Sequence, residues 1–187
     1  MTFAQRIEEV ERLAGAGAST VPDLIGRLAD PSWMVRRAVV AALARAGDAA
    51  VEPLCAVLSA MRDDETRIAA AMDALAASTG DVSGALEILT RADDPAVVAD
   101  AVHVLGRRTN APVAALARLT AHPNDNVAVA AIEALGRSRS RAAVEPLLAA
   151  VRTGSFFRRF PAIDVLGRTG DPRAIPPLAA LLSEPPY

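Results

Sequence analysis

Near-copies of one short apolar segment recur along this chain, and their spacing constrains the fold more than any other feature. One copy, VVAALARAGD, ends at Asp48, and another, IDVLGRTGD, ends at Asp171. The central leucines of the copies are Leu43, Leu75, Leu105, Leu135 and Leu166. Their period of about 30 residues is typical of stacked supersecondary units that share a continuous core. The sequence therefore predicts a repeat array and not a single closed globule.

A second leucine series alternates with the first and divides each period into two helices, an A helix followed by a B helix. Its members are Leu24, Leu54, Leu86, Leu116, Leu147 and Leu178. In the B helices the apolar residues return four, five and eight positions after the first, as at Val127, Ala131, Ile132 and Leu135. This spacing places them on one stripe of a helix and does not fit a strand.

Polar residues and glycines mark the helix ends. The predicted N-caps of the A helices are Asp48, Asp81, Asn110, Ser140 and Asp171. A side-chain oxygen at these positions can accept a hydrogen bond from the first backbone amides of the helix. Gly47, Gly80 and Gly170 stand directly before three of these caps, and we expect them to end the preceding B helices in a left-handed conformation.

Composition limits the classes of function. The chain has 187 residues, of which 52% are apolar, enough to build the core of an ordinary domain. Its net charge is −2, whereas a nucleic-acid-binding domain carries a basic excess. All 20 basic residues are arginine, a bias that indicates a bacterial source with a GC-rich genome.

The sequence offers no targeting signal. Glu8, Glu9 and Glu11 stand where a signal peptide needs an apolar stretch. No segment approaches the about 20 apolar residues of a membrane span, so we expect a cytoplasmic protein without membrane contact. Cys55 is the single cysteine and lies among leucines and valines, which favours a small buried side chain over a reactive thiol.

Two runs carry a family resemblance: DPSWMVRRAVVAALARAGDAAVEPL, residues 30–54, and FFRRFPAIDVLGRTGDPRAIPPL, residues 156–178. They resemble HEAT repeats of the short bacterial type, which also occur in phycobilin lyase subunits. The resemblance covers essentially the whole chain. It implies an all-α fold, a right-handed α-solenoid (α-α superhelix) of about five helix pairs, with the B helices lining the concave side.

The predicted domain organisation is a single HEAT-repeat domain over residues 1–187. It begins with a degenerate helix in residues 1–20 and ends with a half repeat in residues 172–187. The five repeats between them are predicted at residues 21–48, 49–81, 82–110, 111–140 and 141–171.

Motifs of enzymes are missing from the sequence. The only histidines are His103 and His122, and no HExxH or CxxC spacing occurs. There is also no glycine-rich phosphate loop and no GxSxG motif. We therefore predict a protein that is not an enzyme and that has no metal, cofactor or catalytic residues.

Charged residues two positions before and after the central leucines form one candidate site. Glu133 and Arg137, like Asp164 and Arg168, stand four residues apart on one helix, an arrangement worth only ~0.2–0.5 kcal/mol per pair. Two interpretations stay open. The stripe either neutralises itself in solvent or recognises a peptide or helix on the concave face through arginine and carboxylate contacts.

The segment SFFRRFP, residues 155–161, is the second candidate site because it holds half of the chain's aromatic residues. Aromatic residues and arginines are enriched at interface hot spots. Phe160 occupies the repeat position of Arg37, on the exposed side of the B helix. The aromatic rings either fill the core or contact a partner. Together the two candidate sites comprise Arg37, Asp73, His103, Arg107, Glu133, Arg137, Phe156, Phe157, Arg159, Phe160, Asp164 and Arg168.

The leading functional hypothesis is a protein-interaction scaffold or adaptor, because HEAT arrays serve mostly in that role. It would bind an unidentified protein or peptide segment on its concave face. The alternative is an enzyme subunit, or a lyase-like or chaperone-like protein that acts on a tetrapyrrole. Nucleic-acid binding is a third hypothesis, which the net acidity disfavours.

The last predicted A helix, from Pro172 to Ser183, places Ile175, Leu178, Leu181 and Leu182 on one apolar side. A terminal solenoid unit normally presents a polar outer face. We therefore expect either that the array continues into a longer repeat protein or that this end contacts another molecule.

Overall fold

The computed structural model describes residues 1–182, and every regular element among them is helical. The twelve α-helices in this range are α1 Phe3–Gly15, α2 Val21–Gly26, α3 Trp33–Arg45, α4 Asp48–Ala60, α5 Glu65–Ala77, α6 Ser83–Leu89, α7 Pro95–Arg107, α8 Val113–Leu119, α9 Asp125–Ser138, α10 Val144–Thr153, α11 Phe156–Thr169 and α12 Ile175–Leu181. Short 3₁₀ turns precede three of the A helices, at Ala18–Thr20, Arg141–Ala143 and Pro172–Ala174. The predicted all-α fold is confirmed.

The chain divides into two compact units. The first unit is Met1–Val104, and the second begins at Leu105. The division falls inside α7, so the last turn of this helix belongs to the second unit.

In the first unit, the B helices and the A helices form two layers. Helix α3 packs between α1 and α5, and α4 packs between α2 and α6. Leu43 and Leu75 of the B layer are completely buried, as are Leu24, Leu54 and Leu86 of the A layer. Both leucine series therefore lie in the core, where each fully buried side chain contributes about 1.5–3 kcal/mol of hydrophobic stabilisation.

The second unit repeats this arrangement with α9 and α11 as B helices and α8 and α10 as A helices. The core stripe of α9 is fully buried, from Val127 through Ile132 to Leu135. Small residues allow the B helices to approach closely. A Cβ atom at Gly136 would lie 2.9 Å from Val165 Cγ1 of α11, so this glycine is required by the packing of the two helices.

The predicted N-caps are correct at two of the five positions. The Ser140 hydroxyl accepts from the backbone amide of Ala142, and the Asp171 carboxylate accepts from that of Arg173. Asp48 is instead the first residue of α4, whose N-cap is Gly47. Asn110 is also not a cap, because Pro112 holds that position before α8.

The fifth predicted cap, Asp81, is displaced by one residue. Val82 is the N-cap of α6, and the Asp81 carboxylate accepts from the amide of Ser83. The repeats differ in the length of the turn before the A helix, which a common register does not reveal.

The predicted left-handed glycines are confirmed in part. Gly170 ends α11 with φ 65° and ψ 12°. Gly47 has a positive φ of 60° but a ψ of −133°, outside the left-handed helical region, and the C-cap of α3 is Ala46. Gly80 is not among the residues with positive φ. It is needed for a different reason, since a Cβ atom there would lie 2.5 Å from the backbone nitrogen of Asp48.

Helix α12 is less buried than the other A helices. Ile175 is 66% exposed and Leu182 is 90% exposed, while Leu178 and Leu181 are half-buried. The predicted continuation of the half repeat over residues 183–187 lies outside the described residues.

Candidate functional site

A groove with a volume of about 1470 Å³ runs between α9 and α11 in the second unit. Its walls are the solvent-facing sides of these two B helices, and its end is formed by the turns that follow them. The charged residues that line it are Glu133, Arg137, Arg139, Arg141, Asp164, Arg168, Asp171 and Arg173. Four of the residues predicted from the charged stripe, namely Glu133, Arg137, Asp164 and Arg168, thus line one groove.

The two i, i+4 pairs of the stripe differ in geometry. Arg168 Nη2 lies 2.8 Å from Asp164 Oδ2, and both side chains are more than half exposed. Arg137 Nη1 lies 3.9 Å from Glu133 Oε2, while Arg137 Nε donates to the carbonyl of Gly106 at 3.0 Å. The guanidinium of Arg137 therefore also caps the end of the preceding B helix, which fixes its position in the groove wall.

Arg173 joins the two turns at the end of the groove. Its Nε and Nη2 donate to both oxygens of Asp171 at 2.9 and 2.8 Å, and Nη2 also donates to the carbonyl of Arg141 at 3.0 Å. The hydrogen bonds from the Arg173 side chain and backbone lower the pKa of Asp171 from 3.8 to about 2. Asp171 is therefore a carboxylate throughout the physiological pH range.

Arg139 and Arg141 were not predicted as site residues. Both are exposed in the turn between α9 and α10. Within residues 1–182, neither side chain has a hydrogen-bond or ion-pair partner, although Arg141 is near enough to contribute to the lowered pKa of Asp171. A sequence signal did exist, because Arg139 stands four residues after the central leucine, where two other repeats have Gly47 and Gly170.

The predicted aromatic residues are exposed at the start of α11. Phe156, Phe157 and Phe160 are 72%, 68% and 68% exposed. The rings of Phe156 and Phe157 meet edge to face, with centroids 6.0 Å apart. The interpretation that these rings fill the core is therefore wrong for all three.

The arginines beside these rings have structural contacts. Arg158 Nε donates to the carboxylate of Asp125, and Arg158 Nη2 donates to the carbonyl of Pro123. Together with Ser155, whose hydroxyl also contacts Asp125, Arg158 fixes the start of α11 on the preceding repeat. Arg159 is half-buried and has a contact of its own. The exposed rings thus stand on an anchored helix end.

A smaller groove of about 490 Å³ lies between α3 and α5 in the first unit. It contains the predicted residues Arg37 and Asp73, together with Trp33, which is 61% exposed. Trp33 begins α3 as Phe156 begins α11. An exposed aromatic residue therefore begins a B helix next to an inter-helix groove in each unit.

Two predicted residues on α7 lie in neither groove. The repeat position of His103, which Glu133 and Asp164 share, predicts an exposed side chain, but His103 is half-buried. Arg107 is exposed. Their helix contains the division between the two units.

Other kinds of chemistry find little support in the described part of the chain. Within residues 1–182, no group of three or more His, Cys, Asp or Glu side chains is arranged to hold a metal ion. Burial, and then the Glu52 carboxylate, raise the pKa of Cys55 to about 11, so its thiol stays protonated at neutral pH. None of the helices in this range has the length and apolar character needed to cross a bilayer.

A family model described as HEAT repeats matches residues 6–76, 82–160 and 112–187. The chain belongs to the HEAT-repeat family. Its helix pairs are the repeats of an α-solenoid, as the sequence predicted.

Comparison with solved structures and curated proteins adds little on function. A designed armadillo repeat protein in complex with the peptide (KR)4 is similar to the HEAT-repeat chain, with 17% identity and a TM-score of 0.37 over 95% of this chain and 90% of that one. A search of curated proteins found no matching relative.

Proposed function

We propose that this HEAT-repeat protein is an interaction scaffold that binds a protein segment on the solvent-facing side of its B helices. The observation that carries the proposal is the exposure of Phe156, Phe157 and Phe160 at the start of α11, the helix whose later turns form one wall of the groove. Exposed aromatic side chains grouped in this way are typical of the residues that dominate the energy of protein interfaces.

Phe160 connects the aromatic residues at the start of α11 to the groove. Phe160, Asp164 and Arg168 are spaced four residues apart on α11, and this spacing places them on one side of the helix. Asp164 and Arg168 line the groove, so Phe160 stands one turn before its wall. A bound segment would bury the rings and meet a charged strip next to them, the combination of an apolar centre and a polar rim found at interfaces.

Contacts within the chain hold this surface in place. Arg158 and Ser155 anchor the start of α11 to Asp125, and Arg137 is held by the Gly106 carbonyl. A surface whose side chains are held in place loses less conformational entropy on binding. In this proposal the protein acts by binding and performs no reaction of its own.

A capture experiment with matched variants tests the proposal. The intact tagged protein, the Phe160→Ser variant and the control Phe3→Ser variant are each incubated with lysate of the source organism. Phe3 is also exposed, but it lies on α1 in the other unit. We expect a protein partner that the wild type and Phe3→Ser retain and that Phe160→Ser loses.

Stability measurements test whether a loss of capture comes from unfolding of the variant. Because Phe160 is exposed, its replacement should change the free energy of unfolding by less than about 0.5 kcal/mol. Capture of no protein, or equal capture by the Phe160→Ser variant, would contradict the proposal.

A further inference from the structure

Arg139 adopts a backbone conformation that disfavours a side chain. It ends α9 in the left-handed region, with φ 50° and ψ 22°, and it is the single non-glycine residue with positive φ in the described chain. Gly170 ends α11 in the same conformation and at the same repeat position, where glycine has no Cβ penalty. Backbone strain kept at a position where a neighbouring repeat uses glycine points to a role for the side chain.

The side chain of Arg139 adds an uncompensated charge to the groove. Five arginines and three carboxylates line the groove, which leaves two positive charges. The carboxylates of Asp164, Asp171 and Glu133 lie beside Arg168, Arg173 and Arg137, respectively. Arg173 also lies 3.6 Å from Glu145, outside the groove lining, so the lining arginines that form no ion pair within residues 1–182 are Arg139 and Arg141, on a chain whose net charge is −2.

The walls of the groove indicate what kind of anion fits. Glu133 and Asp164 stand on opposite helices and would repel a continuous row of phosphates. A peptide instead presents backbone N–H donors that carboxylates accept. Ala142, Pro161 and Pro172 supply apolar lining that reaches solvent, and the volume of about 1470 Å³ exceeds the ~300–1,000 Å³ that a small ligand fills.

We propose that the groove between α9 and α11 binds an acidic peptide segment, whose carboxylates pair with Arg139 and Arg141. This inference rests on the proposed scaffold function and names the chemistry of the partner. Arginine is suited to the task because its planar guanidinium binds a carboxylate through two parallel hydrogen bonds. Phe160 stands near the start of α11, ~15 Å of helix from its C-terminal turn, so an extended peptide would place an apolar side chain on it several residues away from the acidic ones.

A peptide selection tests the proposal even though the natural partner is unidentified. A library of random displayed peptides is selected on the intact protein and, in parallel, on the double variant Arg139→Gly/Arg141→Gln. We expect the wild type to enrich peptides rich in Glu and Asp and the double variant to lose that enrichment. A labelled peptide from the enriched pool and a labelled oligothymidine are then titrated by fluorescence anisotropy.

Single variants test how much each arginine contributes to peptide binding. Arg139→Gly and Arg141→Gln should each weaken binding of the enriched peptide ~10-fold, the effect of losing one charge-assisted contact. Arg152→Gln is the matched control, because Arg152 is exposed on α10 outside the groove, and it should bind like the wild type. Replacing the acidic residues of the peptide with Gln should weaken binding at least as much.

Although Arg139→Gly should weaken peptide binding, it should stabilise the fold. Glycine relieves the left-handed strain, so the variant should melt ~2–4 °C higher than the wild type while it binds the peptide more weakly. A purely structural role for Arg139 would change the melting temperature and leave binding unaltered.

The outcomes separate this inference from the proposed function. Enrichment of neutral or basic peptides, enriched peptides that bind both arginine variants like the wild type, or tighter binding of oligothymidine would each overturn the acidic-peptide assignment. Such results would leave a scaffold that is sensitive to Phe160→Ser intact. Enrichment of no peptide together with capture of no protein partner would overturn both.

Discussion

The turns that connect B helices to A helices are built differently in the two units. In the first unit, the α3–α4 turn and the α5–α6 turn touch directly. Asp48 Oδ1 accepts from the amide of Asp81 at 2.9 Å, and Thr79 donates from its backbone to the carbonyl of Ala44 at 3.1 Å. No space remains there for a side chain at Gly80.

In the second unit, a long side chain bridges the corresponding turns. Arg173 of the α11–α12 turn reaches the carbonyl of Arg141 in the α9–α10 turn. A Cβ atom at Gly170 would meet nothing within 4 Å. The larger groove of the two lies beside these open turns. The larger groove thus accompanies open turns bridged by a side chain, and the smaller groove accompanies turns in direct contact.

Replacing a core leucine should cause the largest loss of stability, and the loss should be similar in the two units. Leu43→Ala in the first unit and Leu135→Ala in the second should each lower the free energy of unfolding by ~2–5 kcal/mol, because both side chains are fully buried. Urea denaturation followed by circular dichroism measures the loss. A cost below about 1 kcal/mol for one of them would show that its unit is loosely packed.

Alanine substitutions at the turn glycines Gly80 and Gly170 should lower the stability of the two units by different amounts. Gly80→Ala brings a Cβ atom to 2.5 Å from the backbone nitrogen of Asp48, and overpacking against backbone typically costs ~1–3 kcal/mol. Gly170→Ala meets no atoms but must keep φ near 65°, which costs ~1 kcal/mol. Thermal melts of both variants provide the measurement, and an equal or larger loss at Gly170 would contradict the contrast between closed and open turns.

The bridge in the second unit should be visible in a proton titration. The pKa of Asp171 is lowered from 3.8 to about 2 by hydrogen bonds from Arg173. Because the folded state holds the lowered pKa, the carboxylate stabilises the fold above pH 3.8, and this stabilisation is lost as the pH falls through about 2. NMR titration should show the low value in the wild type and a value nearer 3.8 in Arg173→Gln; an unchanged value would exclude the hydrogen bonds to Asp171 that hold Arg173 in position for the bridge.

The surface pairs of the groove should have the smallest effect. Asp164→Ala removes an exposed i, i+4 partner of Arg168, so the free energy of unfolding should change by no more than ~0.5 kcal/mol. The contact of Glu133 with Arg137 is longer, so removing it should change the free energy of unfolding even less. Chemical denaturation at low and high salt tests both; a loss above about 1 kcal/mol would give the groove walls a structural role.

Periodicity allowed the core to be predicted from the sequence. Leu43 and Leu135 recur in register because every repeat buries the same helix side. The repeat register placed Phe160 on the exposed side of its helix, but the exposure of Phe156 could not be predicted, because an aromatic ring there fits either a core or an interface by composition alone.

The turns were predicted less well, since their geometry depends on contacts between repeats. Asp48 satisfies the amide of Asp81 in the next turn and does not cap its own helix. In the sequence Arg139 is distinguished only by standing where two other repeats have glycine, and its positive φ shows why that difference matters.

The links between turns also influence how the chain folds. The contact of Thr79 with Ala44 spans 35 positions, and that of Arg173 with Arg141 spans 32. Loop-closure entropy depends only weakly on length, so each repeat docks onto its neighbour at nearly the same entropic cost. Folding can therefore nucleate at any repeat and spread to adjacent ones. Helical proteins with such local contacts fold in microseconds to milliseconds, faster than proteins whose strands pair over long sequence distances.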